Sequence, residues 1–501
     1  MYVGESLDAA GRLRQHLDGG KKSHLGEARV IVDPTFNKSA CLDLESYLIG
    51  LFSGEGRFKV LNVQASSGTG NYYQRDTYRE RFHEIFAKLR AEGLFSTSIE
   101  EIENSDLYKL SPFKALTDDQ GDAVVAITEG LLSALTGGPS GSMVIEGGPG
   151  TGKTIVAIFL TKLLRDIGAW DGEPLESESY LTGLFTTANA TTLADLRIGL
   201  VVPQQSLRKS IQAVFARTPG LDSSMVVSPF DVGKSSQPWD LLIVDEAHRL
   251  NQRANQTSAQ KNREFHEINM KLFGADDRST TQLDWISEMS HQQLLLIDRR
   301  QRVRPADLDV STLAGLADDA EARGRRHVLT SQLRVQSATT SSTCDVRPAA
   351  TLPAHRLRRL RRAALRRRRR DAGGGAGAQH RGRSGLRRRR LRLAVEQQEV
   401  DKTRVDIVFD DIELRWNSRV VDWVDSPKSV EEVGSIHTIQ GYDLNYAGVI
   451  VGRDLRYDEV AGELRFDRAH YFDKKGLQNN PGQKLTEREL RLPRPNISPC
   501  C

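Results

Sequence analysis

The sequence predicts an α/β protein whose main body is a parallel sheet with crossover helices, and three observations carry that expectation. Across residues 115–335 short apolar strands alternate with helical patterns, the rhythm of βαβ units. A glycine-rich turn, "GGPGTGKT", joins one of these strands to a helix. A second strand, in "WDLLIVDEAHRL", runs apolar into two adjacent acids. With 501 residues, 38% hydrophobic and 27% charged, the chain can build several cores and has the composition of a soluble globular protein.

In chain order, residues 1–60 read as a small α/β unit. A strand stub "YVG" leads to a helix "LDAAGRLRQHL", a strand "ARVIVD" and a helix "SACLDLESYLIGLF". In that last helix Leu42, Leu44, Leu48 and Ile49 approximate one stripe. Residues 61–114 read as a connector: a polar loop "ASSGTGNYYQ", then a charged helix over "RDTYRERFHEIFAKLRAEG" ended by glycine. Residues 115–335 contain the strands "SMVIEG", "IGLVVP", "DLLIVDE" and "QLLLID". Residues 336–400 are biased in composition and lack apolar periodicity. Pattern resumes over 401–487 with "TRVDIVFDDIELRWNS" and "GVIVGRDL", and lapses in the tail 488–501.

The segment Gly147–Thr154 satisfies G-x-x-x-x-G-K-[ST] between the strand "SMVIE" and the helix "TIVAIFLTKLL". Gly147, Gly150 and Gly152 allow successive N–H groups to turn inward around phosphate oxygens at a helix N-terminus. Lys153 supplies a point charge for the β- and γ-phosphates, and Thr154 a hydroxyl for Mg²⁺. Asp245 would hold Mg²⁺ through water, and Glu246 would orient or deprotonate an attacking water. A strand tip with two acids is commonplace alone; in one sheet with a phosphate loop it predicts an NTPase.

Other positions gain meaning from their order. Gln120, in "FKALTDDQGDAVVAI", suits either the adenine edge or a helix cap. Asp298 and Gln301 follow an apolar strand in "LLLIDRRQRVRP", where a glutamine can sense a γ-phosphate. Arg334, in "LTSQLR", is a candidate transition-state cation or a surface arginine. His437, Thr438, Gln440 and Gly441 stand at a strand-to-turn junction in "SIHTIQGYDLNYAGVIVGRDL", where His437 suits a site or a core equally. This order resembles the superfamily 1 helicases. The phrases "DEAHRL", "IDRRQRVRP", "LTSQLR" and "HTIQGYDLNYAGVIVGRDL" resemble the Schlafen-like helicase/ATPase domain of bacterial proteins, over about 115–335 and 401–487. The resemblance implies two RecA-like lobes with ATP and Mg²⁺ in the cleft, and Arg334 at the lobe interface. It also implies single-stranded DNA or RNA near "VVPQQSLRKSI", residues 201–211. Unwinding itself is carried by no residue, so an ATP-driven sensor or switch of a defence system stands as the second reading.

At the N-terminus, Tyr2, Gly4, Arg12, Asn37 and Glu45 suit phosphodiester hydrolysis: a phenol, a cation for the phosphate and a carboxylate for Mg²⁺. The pattern resembles the GIY-YIG endonucleases over about residues 1–55, which implies Tyr2 and Arg12 as catalytic groups and Glu45 as metal ligand. That family has a strand ahead of "YVG", so a truncated, inactive domain is expected; a small α/β unit that was never a nuclease is the rival.

Charge sets limits of another kind. Residues 356–392 hold 17 Arg against the one acid Asp371, a local +16 within a chain of net +4, so the remainder sums to −12. Whole-chain charge therefore gives no argument for nucleic-acid binding. Residues 338–400 contain no Lys, Ile or aromatic residue. Arginine without lysine suggests GC-rich codons read in a shifted frame, ahead of a basic linker and a nucleic-acid arm. The tail "RLPRPNISPCC" stands where the resembled family has a last strand and a Thr-Arg-Gly motif, so the second lobe is expected to be incomplete. Cys41, Cys344, Cys500 and Cys501 make no zinc pattern or disulfide framework, no apolar run reaches membrane-span length, and no signal peptide opens the chain, so the cytosol is the expected compartment.

Overall fold

A computed structural model of the chain describes residues 1–6, 8–18, 25–62, 72–138, 141–173, 180–253, 259–299, 301, 306–331, 392–393, 406–409, 412–419, 423, 426, 429–434, 454–458 and 463–470. Five helices come first: α1 (Ala9–Asp18), α2 (Lys38–Glu55), α3 (Arg75–Ala91), α4 (Ile99–Asn104) and α5 (Asp106–Lys109). The Asn37 carboxamide caps α2 by accepting from the Ala40 N–H at 2.8 Å, and Gly56, at φ 72°, ends it. On α2 the i, i+3, i+4 positions Leu44, Tyr47, Leu48, Leu51 and Phe52 are buried, and Phe82, Phe86 and Leu89 of α3 join the same cluster. The charged helix expected after residue 74 is thus part of the N-terminal core rather than a connector.

Two expected strands do not form. Residues 2–4 and 28–33 lie outside any ladder, and Val30, Ile31 and Val32 are exposed, Val32 at 83%. Residues 1–3 run beside 59–62, but there the Asn62 side chain, not a backbone partner, bonds both the N–H and the carbonyl of Val3. Without a ladder and a buried face, apolar alternation is insufficient to make a strand. The described part of 1–60 is helical, which corrects the α/β reading of that unit.

The main body contains α6 (Asp118–Leu135), β1 (Met143–Gly147), α7 (Lys153–Gly168), α8 (Thr187–Leu193), β2 (Ile198–Val201), α9 (Gln205–Arg217), β3 (Val226–Val227), α10 (Pro229–Lys234) and β4 (Trp239–Val244). It continues with α11 (Ala259–Phe273), α12 (Gln282–Glu288), β5 (Ser290–Ile297), α13 (Val310–Ala322) and β6 (Arg326–Leu329). The six strands form one sheet in the order β3-β2-β4-β5-β1-β6, and every pairing is parallel. One face packs Met143 and Ile145 against residues of α6, α7 and α9; the other packs Val144, Val244 and Ile297 against α13 and its neighbours. A parallel sheet covered on both faces needs continuous apolar strands, which is why β1, β4 and β5 were legible. The chain leaves β1 for β2, three places away, and in open parallel sheets such a change of direction puts the ligand crevice at the C-terminal ends of the strands, here β1, β4 and β5.

Further on, β7 (Arg392–Leu393), β8 (Ile407–Phe409), β9 (Ile412–Trp416) and β10 (Glu432–Val433) form a small sheet, and β11 (Leu455–Asp458) pairs antiparallel with β12 (Glu463–Phe466). Arg334, His437, Thr438, Gln440, Gly441, most of the arginine passage and the tail 488–501 lie outside the described residues.

Candidate functional site

The loop after β1 turns through Gly150 at φ 81° and Gly152 at φ 78°, a left-handed path open to glycine at little cost, and α7 begins at Lys153. The first N–H groups of a helix have no intrahelical acceptor, so the loop closes on a positive helix end. The Lys153 ammonium is folded into this loop and donates to the Gly147 carbonyl at 2.8 Å and the Gly148 carbonyl at 3.1 Å. Such a cradle of N–H groups with a central ammonium fits a polyphosphate.

At the end of β4, Asp245 is fully buried. The Thr154 hydroxyl donates to its Oδ2 at 2.8 Å, joining the two motifs across 91 positions of sequence. Its Oδ1 has no hydrogen-bond partner. Burial, helped by the adjacent Glu246, pushes the Asp245 carboxyl up to about 6. An orphaned carboxylate oxygen beside a hydroxyl fits a hard divalent cation such as Mg²⁺, which needs few protein ligands when phosphates and water supply the rest. Among the described residues no group of three or more His, Cys, Asp or Glu could hold a metal without such help.

Glu246 leaves the strand in the left-handed region, φ 49° and ψ 44°, which costs a non-glycine residue roughly 1–2 kcal/mol. The turn splits the pair, leaving Asp245 buried and Glu246 partly exposed. Burial acts to raise the Glu246 carboxyl, but His248, Arg249 and Lys153 outweigh it and hold it below its ordinary range. His248 Nε2 lies 3.1 Å from Glu246 Oε2, and Arg249 Nε lies 3.2 Å from the same oxygen. His248 Nδ1 accepts the Asp298 N–H at 3.2 Å, while Nε2 makes no hydrogen bond and meets Glu246 only at ion-pair distance. An ionised carboxylate at a strand tip with His248 and Arg249 beside it can orient or deprotonate water.

Gln120 occupies the third position of α6. Its Oε1 accepts the Thr117 N–H at 3.0 Å, closing a capping box, and its Nε2 donates to the Thr151 carbonyl of the glycine loop at 2.8 Å. The amide thus joins a helix cap to the loop. Its neighbour Asp119 accepts the Thr330 and Ser331 N–H groups, each at 2.9 Å, and ties the exit of β6 to the same helix end. Gln301 is half-buried in the turn after β5, its N–H donating to the Asp298 carbonyl at 3.2 Å. At 201–211, the Arg208 guanidinium donates back to the Val202 carbonyl at 2.7 Å and braces the loop after β2, leaving Lys209 exposed.

A second group of charges gathers in the N-terminal helices. Glu45 is buried on α2 with Oε2 lacking a partner. Burial, with Glu5 adding and Lys38 and Arg12 opposing, pushes its carboxyl up to about 7. Arg12 is half-buried on α1, and the Tyr2 ring lies against Gly4. Glu45 and Arg12 therefore fall within electrostatic reach of one another, well away in sequence from the crevice.

Glu146, His248, Arg299 and Asp119 carry contacts at or next to the crevice that spacing alone did not single out. Their partners lie far away in sequence, and short motifs do not encode such pairs.

The family model described as Schlafen group 3, DNA/RNA helicase domain, matches residues 141–344 and 383–492. The chain belongs to that family. The matched helicase domain begins just before β1 and includes the glycine loop, β4 and β5, while the interruption removes 345–382 from the middle of the arginine passage. The uncharacterized protein YPL245W of Saccharomyces cerevisiae is 41% identical over 80 residues, 14% of this chain and 18% of the yeast protein. The match thus spans under a fifth of that relative's length. No helix among the described residues is long and apolar enough to cross a membrane.

Proposed function

We propose that the crevice at the ends of β1, β4 and β5 binds ATP with Mg²⁺ and hydrolyses it, in a RecA-like lobe acting on DNA or RNA. The observation that carries this reading is the 2.8 Å bond from Thr154 to Asp245, with the second oxygen of that buried carboxylate orphaned. In this reading Gly147, Gly150 and Gly152 shape the cradle, Lys153 meets the phosphates, and Thr154 and Asp245 hold Mg²⁺. When bound, Mg²⁺ would neutralise charge building on the phosphates. Glu246 positions water for attack and takes its proton, Gln301 faces the terminal phosphate, and Arg334 is the cation for the transition state. Gln120 is buried and holds the loop by Thr151.

Membership in a DNA/RNA helicase family supports nucleic acid as partner, and ATP turnover with and without single-stranded DNA or RNA tests it. Stimulation that disappears in Lys153→Ala and Glu246→Gln marks a motor. Turnover or binding indifferent to nucleic acid marks a nucleotide-driven switch, the second reading. Absence of ATP binding contradicts both.

We also infer that residues 1–60 are a GIY-YIG-like unit, on the pattern of Tyr2, Gly4, Arg12, Asn37 and Glu45 and on the burial of Glu45 with an unpartnered oxygen; the missing strands at 2–4 and 28–33 count against an intact nuclease fold. Metal-dependent nicking that survives Arg12→Ala and Glu45→Ala rules out that site. For the arginine passage we propose a local frame change. Support comes from the family match, which breaks at 345–382, inside the expected 338–400. Unbroken reads of the locus that reproduce this frame overturn it.

A further inference from the structure

Resting on the ATP reading above, we propose that Glu146 is a positioning residue that sets the turn Asp298–Gln301 and so presents Gln301 to the terminal phosphate. Glu146 is the penultimate residue of β1, one peptide before Gly147, whose carbonyl holds Lys153. Its two oxygens receive arginines from the strands on either side. Arg299, just beyond β5, donates from Nε to Oε1 at 2.6 Å. Arg326, at the start of β6, approaches Oε2 with Nε at 3.0 Å and Nη2 at 2.9 Å. The carboxylate is half-buried, so these charge-assisted bonds are screened less than fully exposed ones.

Three of the contacts that hold the turn after β5 matter here. His248 takes the Asp298 N–H, Glu146 takes the Arg299 guanidinium, and the Asp298 carbonyl takes the Gln301 N–H. The first point connects the turn to the Asp245–Glu246 segment and the third is internal to it. The Glu146–Arg299 contact is the one of these three that refers Gln301 to the strand carrying the glycine loop. Arg299 is drawn toward Glu146 by its head group, and two residues later the chain has folded back through the Gln301 bond. A sensor of one extra phosphate must be set within a fraction of an ångström of the loop that grips the others, and this ion pair supplies that reference.

The test is the affinity of the full chain for Mg²⁺ with ADP and with a non-hydrolysable ATP analogue, measured on the wild type, Glu146→Gln, Arg299→Gln, Arg326→Gln and Gln301→Ala. Glu146→Gln and Arg299→Gln are expected to erode the preference for the triphosphate about tenfold while ADP affinity stays within about twofold. Gln301→Ala should do the same, and Glu146→Gln combined with Gln301→Ala should be no worse than Gln301→Ala alone. Arg326→Gln breaks the other half of the same carboxylate's contacts and should leave the preference intact. Should Glu146→Gln fail to fold, Arg299→Gln carries the test by itself. A preserved preference in Arg299→Gln, additive losses in the double variant, or equal losses in Arg326→Gln overturn the proposal and leave the ATP reading standing. Failure of the wild type to bind either nucleotide removes both.

Discussion

At Asp245, the proposed hold on Mg²⁺ and stability pull in opposite directions. Its carboxyl is raised from an ordinary 3.8 to about 6, so the folded state prefers the protonated form. Stability from this group is therefore full below about pH 4 and is lost as pH rises through 6. Asp245→Asn removes the buried charge and keeps an acceptor for Thr154. In EDTA it should stabilise the protein by roughly 1–3 kcal/mol at pH 8 and leave it unchanged near pH 4, read from thermal melts, while Mg²⁺-dependent turnover disappears. The wild type should lose turnover at acid pH, because a proton competes with the cation for the Asp245 carboxylate. Glu45 obeys the same sign over a higher window. Its carboxyl goes from 4.5 to about 7, so Glu45→Gln should stabilise above pH 7 and have no effect near pH 4. Lys153, Thr154, Asp245 and Glu246 were legible because their chemistry is set by spacing within two short motifs. The second tether of Gln120 was not, since its acceptor Thr151 lies 31 positions away.

At the scale of elements, the sheet was read where burial on both faces imposed an unbroken apolar run, as in Met143–Ile145 and Leu241–Val244. The edge strands β3 and β6 escaped notice for the opposite reason: β3 has two residues, and β6 opens with Arg326 and His327 and exposes Val328. Residues 28–33 misled because their apolar alternation has no ladder to join. The N-terminus of α6 is where several elements meet. Asp119 accepts from the Thr117 hydroxyl and from the Gln120, Thr330 and Ser331 N–H groups, and the bonds from Thr117, Ser331 and Thr330 pull its carboxyl below the ordinary range despite burial. Asp119→Ala strands those donors and should cost roughly 1–3 kcal/mol in denaturant unfolding. Asp119→Asn, with one acceptor oxygen for two sets of donors, should fall between.

For the whole molecule, the helical N-terminal unit is seated on the main body through α5 and α9, where the Ser210 hydroxyl donates to Asp106. That seat lies on α9, and Ser210 itself belongs to 201–211, the segment where the family resemblance puts nucleic acid. Removing residues 345–382, which the family match skips, should leave nucleotide affinity unchanged, because every proposed phosphate and Mg²⁺ ligand, Arg334 included, precedes residue 345; a measured loss would restore a role for the arginines. The most direct measurement is a titration of the full chain with a fluorescent ATP analogue and Mg²⁺, on the wild type, Lys153→Ala and Glu246→Gln. Saturable binding in the wild type, lost in Lys153→Ala and kept without phosphate release in Glu246→Gln, is the predicted result. Undiminished binding in Lys153→Ala, or undiminished phosphate release in Glu246→Gln, would contradict the account.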